Sequence, residues 1–126
     1  MENRCLFRAK RIDNDEWVEG LPSYNKNGQI GEIEVFDDTD ITFYIVDAST
    51  ICQCTAMPDK NKKLVFEHDI VWDSDERAFY EIIWNQEDMC WNVEDADGHK
   101  SEFEECYGST IEVNGNRFDN PELLEV

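Results

Sequence analysis

Five cysteines and two histidines, Cys5, Cys52, Cys54, Cys90, Cys106, His68 and His99, are the side chains best suited to hold a transition metal. A structural zinc site repeats a C-x₂₋₄-C knuckle or joins one to a histidine pair, and neither pattern occurs. Cys52 and Cys54 form a C-x-C pair, which on a strand places both thiols on one face. The thiol count is odd, and the opening MENRCLFRAK has no long apolar stretch of the kind that directs secretion. Reduced cysteines packed as small hydrophobes, in a cytosolic setting, are the reading that fits.

Carboxylates come next. Asp95, Asp97, Gly98 and Glu104 fall at positions 3, 5, 6 and 12 of a calcium loop. Position 1 is then Val93, which offers no ligand atom, and no flanking helix is readable. A hairpin turned at Asp97-Gly98 accounts for the same residues. Asp37, Asp38 and Asp40 make a second acidic knot, read as a solvated loop between strands. Catalysis needs a nucleophile beside a base, or carboxylates whose pKa values are driven apart. With 30 acids in the chain, carboxylate pairs arise by chance and point to no reaction. His68, between Glu67 and Asp69, is read as a turn residue before a strand, and His99 as an exposed residue after the Asp97-Gly98 turn. No P-loop, G-x-G-x-x-G or G-x-S-x-G motif is present. The expectation is no catalytic residue, no cofactor and no metal.

Charge narrows the partners. Eleven Lys and Arg against 30 Asp and Glu leave a formal net charge of −19. Trp17, Trp72, Trp84 and Trp91 have the chemistry to stack bases, but such surfaces also need a cationic groove for the phosphates. Core packing is the better reading for them, and direct nucleic-acid binding is not expected. No apolar run approaches the ~20 residues a membrane helix needs. Between Glu87 and Glu105 stand Glu87, Asp88, Glu94, Asp95, Asp97, Glu102, Glu104 and Glu105, against one base, Lys100. On a hairpin they form one negative ribbon, the expected interaction surface.

The elements that carry these residues read as short strands. Ile30–Phe36 alternates apolar and acidic residues, and Ile41–Val46 is β-branched and aromatic. Ile70–Trp72, Phe79–Trp84, Cys90–Val93 and Thr110–Val113 repeat that chemistry. Asn27-Gly28, Asp97-Gly98 and Asn114-Gly115 supply hairpin turns. The clearest hairpin runs Cys90–Asp95 and returns His99–Glu105. Helix is scarce: Asn120 as N-cap and Pro121 at the first helical position start a turn or so. The fold class expected is all-β, mainly antiparallel, a compact barrel or sandwich. It is one domain: a β-meander over about 1–57 and an SH3-like barrel over about 64–126, sharing one core. The basic cluster Lys60, Lys62 and Lys63 after Pro58 marks a weak boundary.

The segment Val46–Val71, VDASTICQCTAMPDKNKKLVFEHDIV, resembles the YopX-type family of small phage and prophage proteins. Members carry a stretch like T-v-g-Q-y-T-G-l-x-D-k-n-G-k-x-I-y-E-G-D-I-V. Thr50, Gln53, Thr55, Asp59, Lys60, Asn61, Lys63, Phe66, Glu67, Asp69, Ile70 and Val71 match it. Trp17-Val18-Glu19-Gly20 resembles the family's W-V-x-G, and Asn120-Pro121-Glu122-Leu123-Leu124 its N-P-E-L-L. Cys54 stands where an aromatic is usual, and Ala56, Lys62 and His68 stand where the family has glycines. Those glycines serve left-handed turn positions, where a Cβ is costly. Asn61 is expected to take one of these positions instead. The resemblance implies a mostly β fold and a phage or prophage protein in a bacterial cytosol. It brings no established activity, catalytic residue or cofactor. The function expected is a non-catalytic module that binds an unidentified host or phage protein, basic in charge, or a second copy of itself. An acidic nucleic-acid mimic blocking a host DNA-binding protein, and a small metal-dependent hydrolase, are the alternatives.

Overall fold

The computed structural model describes residues 6–36 and 38–125, and of Glu105 and Cys106 the backbone alone. Cys5 and Asp37, and the side chains of Glu105 and Cys106, lie outside the described residues. Among the described residues eleven strands follow one another: β1 (Phe7–Lys10), β2 (Trp17–Tyr24), β3 (Ile30–Phe36), β4 (Ile41–Ile45), β5 (Cys52–Pro58), β6 (Leu64–Phe66), β7 (Asp69–Asp73), β8 (Ala78–Asn85), β9 (Cys90–Glu94), β10 (Lys100–Glu102) and β11 (Ile111–Asn116). Helical backbone among the described residues is confined to 3-10 turns at Ala48–Thr50, Glu105–Ser109 and Pro121–Leu124. The fold is mostly antiparallel β, as the period-two patterning requires.

The chain divides into two units, one ending at Cys54 and one beginning at Thr55. In the first, β4, β3, β2 and β1 lie side by side, and β5 starts against β1, with Cys52 opposite Arg8. Alternation along β3 sends Ile33 and Val35 inward, onto Ala9 and Val46, with Phe7, Val18, Ile30, Tyr44 and Ile51 around them. Glu32 and Glu34 take the opposite face. Gly20 of the W-V-E-G stretch is required sterically: a Cβ there would overlap the Glu34 carbonyl of the neighbouring strand. Past its end, β1 reaches the far edge of β4. Arg11 bridges Val46, Asp47 N donates to Lys10 O at 2.8 Å, and Ile12 N donates to Ile45 O at 3.1 Å.

In the second unit five strands run β10-β9-β8-β7-β11. Val65, Val71, Ile82, Val93, Phe103 and Ile111 are buried together, with Met57, Tyr80, Trp91, Tyr107 and Val113 against them. Phe66 and Ile70, which match the family-like stretch, are buried too. Trp84 and Trp91 sit opposite each other on β8 and β9, ring centroids 5.1 Å apart and planes at 71°. β11 is bulged between Val113 and Gly115. The missing Cβ of Gly115 leaves room for the Asn120 carboxamide. Asn120 does precede Pro121 at the start of the last turn, but its side chain does not cap it. The carboxamide oxygen instead accepts from Asn116 N at 3.3 Å, tying the NPELL segment to the bulge.

Candidate interaction surfaces

The acidic hairpin is organised by Asp95. Its Oδ1 accepts from Asp97 N and from His99 N, both at 2.9 Å, and its Oδ2 lies 3.2 Å from His99 Nδ1. The His99 and Asp97 amides hold the Asp95 carboxyl below the usual range against the cost of its partial burial, the His99 amide being the largest influence. A carboxylate that accepts main-chain N–H groups fixes a turn. From that turn the acids run along the ladder. Glu94 faces Lys100 and Glu102 faces Asn92 across β9 and β10, and Glu87 and Asp88 occupy the turn at the opposite end of β9. Burial, then Glu102 and Asp88, push the Cys90 thiol up. β10 terminates its sheet, and Lys100, Ser101 and Glu102 are all exposed. Asp95, Asp97 and His99 can bring one ligand atom each within 4.8 Å of the others. The Asp95 oxygens are already committed to the turn, and exposed acids of this kind are common without an ion.

Of the family-like residues, Thr55, Asp59 and Asp69 are buried, Gln53, Glu67 and Asn120 are partly buried, and Asn61 and Pro121 are exposed. Ala56, Lys62 and His68 have φ of 66°, 66° and 69°, left-handed values that favour glycine. A buried side chain braces the chain at each of them. Thr55 Oγ1 donates to Val65 O at 2.7 Å and accepts from Met57 N at 3.1 Å, spanning Ala56. Asp59 accepts from Asn61 N at 2.8 Å, Lys63 N at 2.9 Å and, across to β11, Val113 N at 3.0 Å, enclosing Lys62. Asp69 accepts from Phe66 N at 2.8 Å, enclosing Glu67 and His68. Asn61 does not take a left-handed position; Lys62 does. Asn61 sends its amide to Glu112 at 3.3 Å. Gln53 lies on β5 opposite Phe7. These residues build the architecture of their loops.

Three features carry little or no signal in the sequence spacing. Glu81 is buried on β8, with His68 Nδ1 at 2.8 Å and Arg117 at 3.2 Å from its Oε2. The Phe118 ring packs edge-on to His68 at 5.7 Å. A buried carboxylate needs such partners, yet positions 68, 81 and 117 share no motif. The second feature is β4. The run Ile41-Thr-Phe-Tyr-Ile-Val carries apolar residues in both phases, a sign that both faces are apolar. Tyr44 packs inward, whereas Ile41, Phe43 and Ile45 are 53%, 53% and 63% exposed on the outer face. Phe36, opposite Ile41, is 47% exposed, and Ile12, bonded to Ile45, is 67% exposed. The third is a cleft of about 310 Å³ beside that strand, lined by Arg11, Ile12, Asp13, Phe43, Tyr44 and Ile45. At its rim the Arg11 guanidinium bonds both Asp13 oxygens, at 3.0 and 2.7 Å, and holds that carboxyl below its ordinary range.

No curated protein matches the sequence. Among solved structures, protein EF1440 from Enterococcus faecalis is similar over 94% of this chain and 96% of its own, with a TM-score of 0.62 at 23% identity. At that identity the likeness is one of fold. A family model described as YopX protein matches residues 6–125. That span takes in the W-V-E-G strand, the braced loops of 55–69 and the NPELL turn, and the chain belongs to the YopX family.

Proposed function

We propose that the chain is a non-catalytic binding module that docks a basic protein on the acidic β9–β10 edge. The observation behind this reading is the Asp95 clamp on Asp97 N and His99 N. It holds the turn in one shape, so the acids beside it need not be ordered when a partner arrives, and less free energy is spent on binding. A formal charge of −19 steers a cationic partner toward such a surface. The reading includes a setting in keeping with the family likeness: a phage or prophage protein in the cytosol of a bacterial host, with a host or phage protein as its partner.

The test begins with capture of the partner from bacterial lysate on the immobilised chain. The purified partner's association rate is then followed from low to high salt. We expect a fall of about tenfold or more. Exchanging Glu94, Asp97 and Glu102 for Lys together is expected to lower the rate by a similar factor. Association indifferent to both salt and these exchanges sinks the reading. Competition by duplex DNA for the same site on the partner would narrow it to phosphate mimicry.

A further inference from the structure

We propose that the outer face of β4 is a second docking site, and that its occupant is an extended segment of a basic protein in which apolar residues alternate with Lys or Arg. The inference concerns the first unit and stands independently of the acidic hairpin. Ile41, Phe43, Ile45, Phe36 and Ile12 form a continuous exposed apolar row on the side of the sheet away from the Ile33 core. Exposed apolar surface gathered in this way marks interaction sites.

The main chain beside it is also open. Ile45 O receives Ile12 N, which shows that odd-numbered residues of β4 direct their N–H and C=O away from β3. Ahead of Ile45, at Phe43 and Ile41, the described residues place no strand on that side, because β4 ends its sheet. An extended chain can add there by main-chain hydrogen bonds, with its apolar side chains meeting Phe43 and Ile41. The 310 Å³ cleft between Ile12 and Phe43 lies where the open edge begins and offers a seat for one of those side chains.

Charge selects the occupant. On the same face Glu34 stands opposite Phe43 and Glu32 opposite Ile45, and Asp38 is exposed in the β3–β4 turn. The cation at the cleft, Arg11, is committed to Asp13. A second copy of the chain would bring the same acids against these, with −19 on each side, and like charges across a contact oppose it. A cationic strand meets both the apolar row and its acidic frame.

The probe is a synthetic peptide alternating Lys and Val, titrated into the full chain by amide NMR. A peptide alternating Lys and Ser, of equal charge, is the control. The amides of Ile41 and Phe43 are expected to shift and to gain protection from exchange. The Lys-Ser peptide, and the Phe43→Ser chain with the Lys-Val peptide, are each expected to bind about tenfold more weakly. Phe43 is half exposed, so this variant keeps its fold, and Ile45→Thr serves as a second. The chain carrying Lys at 94, 97 and 102 is expected to show the same Ile41 and Phe43 shifts, which separates this site from the hairpin. Equal affinity for the two peptides, or shifts confined to the hairpin, overturns the proposal. So does a dimer of the chain alone that Phe43→Ser dissolves.

Discussion

Ala56, Lys62 and His68 show how a few side chains decide where the backbone is permitted to bend. Each carries a Cβ in left-handed backbone, at a cost of about 1–2 kcal/mol. Replacing Ala56 or Lys62 by Gly is expected to raise stability by about 0.5–1 kcal/mol each, since glycine removes that strain but adds freedom to the unfolded chain. Urea unfolding midpoints check this; unchanged or lower midpoints contradict it. His68→Gly is expected to go the other way, by about 1–3 kcal/mol, because it takes from buried Glu81 the 2.8 Å contact with His68 Nδ1. The need for positive φ at these positions was legible from the glycines of similar sequences. Its assignment to Asn61 was not correct. Lys62 N donates to Asp59 O at 2.9 Å and Asp59 N to Lys63 O at 2.8 Å. A three-residue hairpin loop closed in that way puts its left-handed residue third, one place after Asn61. The Glu81 cluster was illegible for a different reason: it joins residues brought together by the sheet register and by no local spacing.

At the scale of elements, strands whose pattern alternates were the legible ones. Ile30–Phe36 agrees with β3 to the residue, and the Asp97-Gly98 turn closes the β9–β10 hairpin. β4 was legible as a strand, but its exposed face was not. With apolar residues in both phases, periodicity gives no indication of which phase meets the core. The hairpin carries a pH signature. The His99 amide above all, then the Asp97 amide, keeps the Asp95 carboxyl below its unfolded value of about 3.9. A depressed carboxyl contributes stability that is present above that unfolded value and lost as pH falls through the lower folded one. A carboxylate-detected NMR titration is expected to place Asp95 below the ordinary aspartate range, and Asp95→Asn to flatten the acid limb of the unfolding profile. Titration of Asp95 at an ordinary value would mean the turn amides do not hold it.

For the whole molecule, composition carried one conclusion that needs no coordinates, that the chain has enough apolar and aromatic residues to fold, and one expectation, that 11 Lys and Arg against 30 Asp and Glu do not favour tracking a phosphate backbone. It was silent on which acids stand on a fixed scaffold and which merely keep the chain in solution. A net charge of −19 also pushes the folded molecule against itself. Added salt screens exposed charges over a Debye length of about 10 Å at 0.1 M. The thermal midpoint is therefore expected to rise with sodium chloride, by about 4 °C for each kcal/mol of repulsion removed. A midpoint that stays level or falls would show the acids to be compensated locally by their hydrogen bonds. The indoles of Trp84 and Trp91, set obliquely and almost touching across β8 and β9, bear on all such measurements. Two identical chromophores so placed share their excited state, and the pair rotates polarised light in a way neither ring does alone. The β8–β9 strand pair thus comes with its own optical label, and any event that parts those two strands is written in the circular dichroism of the unmodified protein.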